Sequence, residues 1–129
     1  MTTELRMLAL SIVLGFVHII LASHAKSNVY GYRWSAGPRD QAMPPLPGVA
    51  GRLDRALQNF GETFPLFAAA VLVAQVADRH NAFTLWGAQL YLWGRVAYLP
   101  LYAFGVFLVR SLAWNVAAAG IFLILLGLL

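Results

Sequence analysis

The sequence predicts an all-α integral membrane protein built as an up-down bundle of four helices, and three observations lead to this fold. Of its 129 residues, 60% are hydrophobic and only 11% are charged, whereas a soluble domain carries about 25% charged residues. A water-soluble fold of this length cannot hide so much apolar surface, so the bilayer is its main solvent. The apolar residues form four stretches, each near the ~20 residues that cross a bilayer core. Short connections between the last three predict antiparallel neighbours.

The predicted elements follow from these apolar stretches. We expect one domain, 1–129, with helices at residues of about 5–25, 52–77, 83–104 and 108–129. The loop between the first two helices, at about 26–51, is polar and rich in turn residues such as Gly37-Pro38 and Pro44-Pro45, which forbid a continuous helix. The other connections are short, from Asp78 to Ala82 and around Gly105.

The basic residues predict how the chain is oriented. Most of them lie at one end of the predicted helices: Lys26, Arg33, Arg39, Arg52, Arg55 and Arg110. Arg6 and Arg79 lie at the other end, and Arg95 lies within a span. Because cytoplasmic loops carry an excess of Lys and Arg, the long loop is expected in the cytoplasm. Both termini are then expected outside, in the periplasm if the membrane is a bacterial inner membrane.

Composition also excludes several classes of function. The chain has no cysteine, which excludes disulfides, iron–sulfur clusters and thiolate zinc sites. His18, His24 and His80 lack the spacing of metal ligands, so no metal is expected. The formal net charge of +4 is interpreted as loop charge that sets topology. Since aromatic and basic residues do not interleave as in a single-strand binder, we expect no nucleic-acid partner.

Polar residues recur along one face of the second predicted helix. Arg52, Arg55, Asn59 and Glu62 are spaced three, four and three residues apart, so at ~100° per residue they form one stripe. A carboxylate inside a membrane is costly, by a few kcal/mol, and needs a partner or a watery cavity. Glu62 therefore directs attention to this stripe.

The third predicted helix carries a stripe of its own, formed by Arg95, Tyr98 and Tyr102. Counted from the cytoplasmic ends at 1.5 Å per residue, Glu62 and Arg95 both lie roughly 15 Å deep. A buried acid and a buried base at equal depth are expected to pair, within or between subunits. The alternative role of such a pair is purely structural, at a subunit interface.

A pocket rich in Arg and Tyr is expected where these stripes meet the start of the fourth helix, at Arg110 and Ser111. Arginine forks bind carboxylates through two hydrogen bonds, and Asn59 matches a peptide-like amide. The apolar faces alongside admit a lipophilic second substrate from the membrane. An arginine close to a bound thiol lowers its pKa and favours the nucleophilic thiolate. There are simpler alternatives to ligand binding. Arg110 would then only anchor the helix at the membrane surface, and the two tyrosines would only pack against neighbouring helices.

The chain resembles the MAPEG family, the membrane-associated proteins in eicosanoid and glutathione metabolism, in three segments. The second helix carries Arg52-x-x-Arg55-Ala-x-x-Asn59-x-x-Glu62, which is similar to the family signature. Gly94-Arg95-Val96-Ala97-Tyr98, followed by Tyr102, resembles the third-helix motif of the prostaglandin synthases in this family. Gly37-Pro38-Arg39-Asp40 in the loop resembles bacterial members.

The resemblance implies a homotrimer of four-helix subunits that binds glutathione as a co-substrate at subunit interfaces. Carried over by position, it implies that glutathione contacts Arg55, Asn59, Glu62, Tyr98 and Tyr102. Arg110 matches the arginine that stabilises the glutathione thiolate, and Ser111 matches a nearby hydroxyl. We add Arg95 to the binding set from its place in the pocket, and either Arg39 or Arg33 as the loop-side arginine. Tyr98 stands where the prostaglandin synthase has histidine, so the eicosanoid substrate is not carried over.

The leading hypothesis is a glutathione transferase that conjugates the glutathione thiolate to a lipophilic electrophile, with peroxide reduction by the same thiolate. Its expected partners are glutathione, a lipophilic small molecule or lipid, other copies of the chain and membrane lipids. The alternative is a non-enzymatic lipid-binding or scaffold membrane protein of the same fold. A channel or transporter fits less well, because the polar residues cluster in the cytoplasmic half and leave no continuous polar path.

Overall fold

A computed structural model describes all residues, 1–129, and contains five α-helices and no β-strand. The helices are α1 (Thr3–Tyr30), α2 (Tyr32–Ala36), α3 (Gly48–Val76), α4 (Ala82–Ala103) and α5 (Val109–Leu128). The predicted all-α class is confirmed, with four long helices and one short one. The predicted trimer concerns other copies of the chain and stays a prediction.

The first long helix runs further than its apolar stretch. α1 continues beyond the predicted end near residue 25 to Tyr30, and Gly31 ends it with a φ of 96°, a conformation that glycine adopts at little cost. The added turns are polar but have partners, since Lys26 forms a salt bridge of 3.4 Å with Asp54 of α3. The apolar stretch alone therefore underestimates the length of α1.

The predicted loop also contains a short helix, α2, that no apolar periodicity marks. Aromatic packing accompanies it: the rings of Tyr30 and Trp34 meet edge-on, with centroids 5.0 Å apart. The Arg39 guanidinium lies 5.4 Å from the centroid of the Trp34 ring. After this segment, α3 begins at Gly48, directly behind Pro47, whose restricted φ suits a helix start.

Three of the helices, α1, α3 and α5, are long and apolar enough to cross a membrane. α4 has 22 residues but is not among the three, so three of the four predicted spans are confirmed and the fourth stays a prediction. Gln89, Arg95 and several tryptophans and tyrosines lower its hydropathy. α4 turns part of this polar content inward, since Arg95 and Tyr98 are both buried.

The long helices run alternately in opposite directions around α4. α4 contacts α1, α3 and α5, whereas α1 and α5 do not touch each other. The α4–α5 contact is the most extensive, and small residues line it. A Cβ atom added at Gly94 would lie 2.9 Å from the backbone nitrogen of Ala117, so the two backbones approach closely, as in many membrane helix pairs.

A buried polar cluster joins the helices at the end of the molecule where α1 starts. Glu4 is only 4% exposed, and its Oε2 accepts hydrogen bonds from His80 Nδ1 at 2.7 Å and Thr84 Oγ1 at 3.2 Å. The Asn81 side chain donates to the carbonyl of Gly127 at 2.9 Å. The cluster thus ties the first turn of α1 and the last turn of α5 to the α3–α4 connection.

We expect Glu4→Ala to lower the free energy of unfolding by about 1–3 kcal/mol, because the hydrogen bonds of His80 and Thr84 to a buried carboxylate are lost. The measurement is denaturant or thermal unfolding of the purified protein in detergent. Asp40→Ala, which removes an exposed loop carboxylate, is the matched control. Equal losses for the two variants would show that the Glu4 cluster does not stabilise the fold.

Candidate functional site

A polar cavity of about 350 Å³ opens at the end of the molecule where α4 ends and α5 begins. Its lining residues are Asn59, Tyr98, Tyr102, Arg110, Ser111, Trp114 and Asn115. The first five of them belong to the site residues predicted from the sequence. A cavity of this volume falls within the usual range of small-molecule sites, about 300–1,000 Å³. We therefore take it as the candidate functional site.

Two arginines from different helices meet at one tyrosine of this cavity. Arg55 of α3 donates through Nε to the Tyr102 hydroxyl at 3.1 Å. The guanidinium carbon of Arg110, on α5, lies 4.8 Å from the centroid of the Tyr102 ring, a cation–π distance. Tyr98 lies one turn away, with its ring centroid 5.4 Å from that of Tyr102. Tyr102 thus contacts two cationic side chains, of which Arg110 lines the cavity and Arg55 lies beside it.

Arg95 lies behind the cavity wall and does not open into it. It is 0% exposed, and its Nη1 donates to Asn59 Oδ1 at 2.6 Å. Its guanidinium carbon lies 4.2 Å from the Tyr98 ring centroid and 5.5 Å from that of Phe60. Arg95 therefore contacts two residues that line the cavity, Asn59 and Tyr98, and its predicted direct contact with a ligand stays a prediction.

No salt bridge joins Glu62 to Arg95 within one chain, and the alternative, a pair between subunits, stays a prediction. Arg95 forms no salt bridge and binds Asn59 instead. Arg95 meets Asn59 and not Glu62 because the two α3 side chains point in different directions around the helix, although they lie at similar depth. Three residues turn a helix by about 300°, so Glu62 points about 60° away from Asn59 around α3. Glu62 is exposed and has no salt-bridge partner in its own chain.

The two loop arginines lie outside the polar cavity of their own chain. Arg39 lines a separate crevice with Lys26 and Asp54, between α1, the loop and α3. Its Nε donates to the carbonyl of Ser35 at 3.0 Å. Arg33 lies in a neighbouring surface recess that Arg39 also lines. The expected contact of Arg39 or Arg33 with a ligand therefore stays a prediction, and it concerns the assembled protein.

Two lining residues, Trp114 and Asn115, were missing from the predicted site. They lie four residues after Arg110 and Ser111, so they occupy the same face of α5. That spacing was the signal that would have found them. Asn115 Nδ2 donates to the carbonyl of Ser111 at 2.8 Å. The indole nitrogen of Trp114 is buried and has no hydrogen-bond partner in the chain.

An apolar groove of about 680 Å³ adjoins the polar cavity between α3 and α5. Trp114 lines both spaces. Among the groove's other lining residues only Thr63 is polar, and its hydroxyl lies 3.0 Å from the Tyr91 hydroxyl. A ligand in the groove therefore meets hydrocarbon, while a ligand in the cavity meets arginine, asparagine and tyrosine.

The fold is that of a helical membrane protein, with three helices apolar enough to cross a bilayer. Its candidate site combines a polar cavity with an adjoining apolar groove. A family model of the MAPEG family matches residues 7–129, nearly the whole chain. The chain belongs to the MAPEG family, which includes glutathione transferases and related proteins, and the resemblance seen in the motifs is confirmed. None of the curated proteins matches the chain.

Proposed function

We propose that this protein is a glutathione-dependent membrane transferase that conjugates the glutathione thiolate to a lipophilic electrophile. The observation that carries the proposal is the meeting of Arg55 and Arg110 at Tyr102, in a polar cavity that adjoins an apolar groove. Membership of the MAPEG family supports the same class of activity.

The charges of the cavity suit a small anionic peptide. Arginine side chains bind carboxylates through paired, charge-assisted hydrogen bonds, and Arg55 offers its remaining N–H groups to a carboxylate of glutathione. Asn59, Tyr98 and Tyr102 contact the rest of the peptide. Arg95 adds a positive charge from behind the wall, and Glu62 lies one turn beyond Asn59 on α3.

Arg110 and Ser111 are assigned to the thiol. A guanidinium close to a thiol lowers its pKa, because it stabilises the thiolate. The thiol proton leaves to water, the sulfur forms a bond to the electrophilic carbon, and the leaving group departs with its bonding electron pair. A lipid hydroperoxide is reduced to its alcohol and water by the same thiolate, while two glutathione molecules become the disulfide.

The assembly is proposed to be a homotrimer in which all four long helices cross a bacterial inner membrane. The exposed carboxylate of Glu62 supports an oligomer, because a charge at membrane depth requires a partner and its own chain supplies none. The long loop faces the cytoplasm and both termini face the periplasm. Arg39 or Arg33 completes the glutathione site within the trimer.

The test is binding and turnover with the purified protein in detergent. We expect glutathione to bind at millimolar concentration or below by calorimetry, and to be conjugated to a generic aromatic electrophile. An analogue with a methyl group in place of the thiol should bind but not react. No binding at millimolar glutathione would overturn the proposal.

A second candidate, a non-enzymatic lipid-binding or scaffold protein, is favoured by the size of the apolar groove, about 680 Å³ against about 350 Å³ for the polar cavity. It predicts a lipid that co-purifies with the protein and can be identified by mass spectrometry, together with the absence of turnover. A lipid accompanied by glutathione turnover would favour the transferase.

A further inference from the structure

We infer that Arg95 is a positioning residue: it holds the carbonyl oxygen of Asn59, so that the asparagine presents its amide N–H groups to the cavity. The inference rests on the proposed function, because it concerns how the same cavity recognises glutathione. It assigns a direction to Asn59 and a role to a buried arginine that has no acidic partner.

The chemistry of the pair leaves one orientation for the asparagine. A guanidinium has five N–H donors and no acceptor, so the Asn59 atom 2.6 Å from Arg95 Nη1 is the carbonyl oxygen Oδ1. The amide nitrogen Nδ2 makes no hydrogen bond within the chain and is not among its buried unpartnered atoms. Because Asn59 lines the cavity, this free donor is available to a ligand there.

The packing around Arg95 fixes the position of its guanidinium, to which Asn59 is bound. The guanidinium is packed against the ring of Tyr98 at 4.2 Å and against Phe60 at 5.5 Å. Behind Phe60 stacks His18 of α1, with ring centroids 4.8 Å apart. Arg95 Nε and Nη2 are buried without partners, so Asn59 supplies the acceptor for this charge. A charge-assisted hydrogen bond in such a low-dielectric place is strong.

The consequence is a cavity that selects hydrogen-bond acceptors. With Asn59 turned in this way, its amide donor and the N–H groups of Arg110 line the same cavity, and Arg55 lies beside it on the Tyr102 hydroxyl. A carboxylate or peptide carbonyl oxygen of the ligand matches these donors, whereas an ammonium or amide N–H group does not. Arg95 thus determines, without touching the ligand, that Asn59 offers a hydrogen-bond donor to it.

Asn59→Asp separates the two roles of the asparagine. The aspartate keeps an acceptor for Arg95, and even adds a salt bridge, but it replaces the ligand-facing donor by a second oxygen. We expect the glutathione Kd, and KM with it, to rise roughly tenfold to a hundredfold, as for a lost hydrogen bond to a charged group. The thermal unfolding midpoint should stay at or above that of the wild type.

Arg95→Lys and Arg95→Met provide an independent comparison in the same calorimetric assay. Lysine keeps the charge and a donor for Asn59 Oδ1 and should retain more glutathione affinity than methionine, which leaves the asparagine free to turn. If the wild type does not bind glutathione, the proposed function fails. If the wild type binds and Asn59→Asp binds equally well, or if lysine is no better than methionine, the proposed function stands and the inference on Arg95 is wrong.

Discussion

Arg110→Ala should lower the rate of glutathione conjugation about a hundredfold or more at saturating glutathione, the size of effect seen when one charge-stabilising group is removed from a catalytic site. Without the guanidinium the bound thiol keeps a higher pKa, and less of it is thiolate at neutral pH. Glutathione should still bind, because Arg55 and Asn59 hold other parts of the peptide.

The measurement is steady-state conjugation over a range of pH, together with the ultraviolet absorbance of bound thiolate. Arg79→Ala is the matched control, since it removes an exposed arginine near the opposite ends of α3 and α4. Raising the pH should restore part of the lost rate in Arg110→Ala, because the free thiolate fraction then increases. Full activity in Arg110→Ala at neutral pH would remove the thiolate role from this residue.

Gly87→Ala should be among the most destabilising single changes in the chain. A Cβ atom at this position would lie 2.5 Å from the carbonyl oxygen of Gly120 and 2.9 Å from the backbone nitrogen of Ile124. Backbone atoms cannot turn aside as a side chain can, so α4 and α5 must move apart. Overpacking of this kind costs about 1–3 kcal/mol, and we expect at least that loss in the free energy of unfolding.

Gly120→Ala is the reciprocal test, since its Cβ atom would lie 2.5 Å from the carbonyl oxygen of Gly87. Gly61→Ala is the matched control, because a Cβ atom there meets nothing within 4 Å in the chain. Thermal unfolding of the three variants in detergent gives the comparison. A Gly87→Ala protein as stable as Gly61→Ala would show that the α4–α5 contact is not as close as described.

The sequence predicted the class of the fold because apolar stretches of membrane-crossing length leave few alternatives. The prediction from the sequence was incomplete where interactions other than the burial of apolar stretches determine the structure. The extra turns of α1 are polar and held by the Lys26–Asp54 salt bridge, and α2 is a single short helix with no apolar stripe. The lower hydropathy of α4 was visible in its composition, with Arg95 and Gln89 inside the segment, but burial between neighbours was not.

The positions of the site residues along their helices were predictable from the sequence, but the residues that they contact were less so. Spacing along α3 and α4 identified Asn59 and Tyr102, because residues three or four apart share a helix face. Depth alone suggested that Glu62 meets Arg95, yet rotation about α3 brings Asn59 to Arg95 instead. Such a partner depends on how two helices are turned against each other, which periodicity within one helix does not determine.

A structure of the protein with bound glutathione tests the central claim most directly. We predict that the peptide occupies the cavity between α3, α4 and α5, with its sulfur beside the Arg110 guanidinium. An oxygen of the peptide should accept a hydrogen bond from Asn59 Nδ2, while Arg95 remains bound to Oδ1. Glutathione bound elsewhere, or a lipid chain in the polar cavity at saturating glutathione, would contradict the claim.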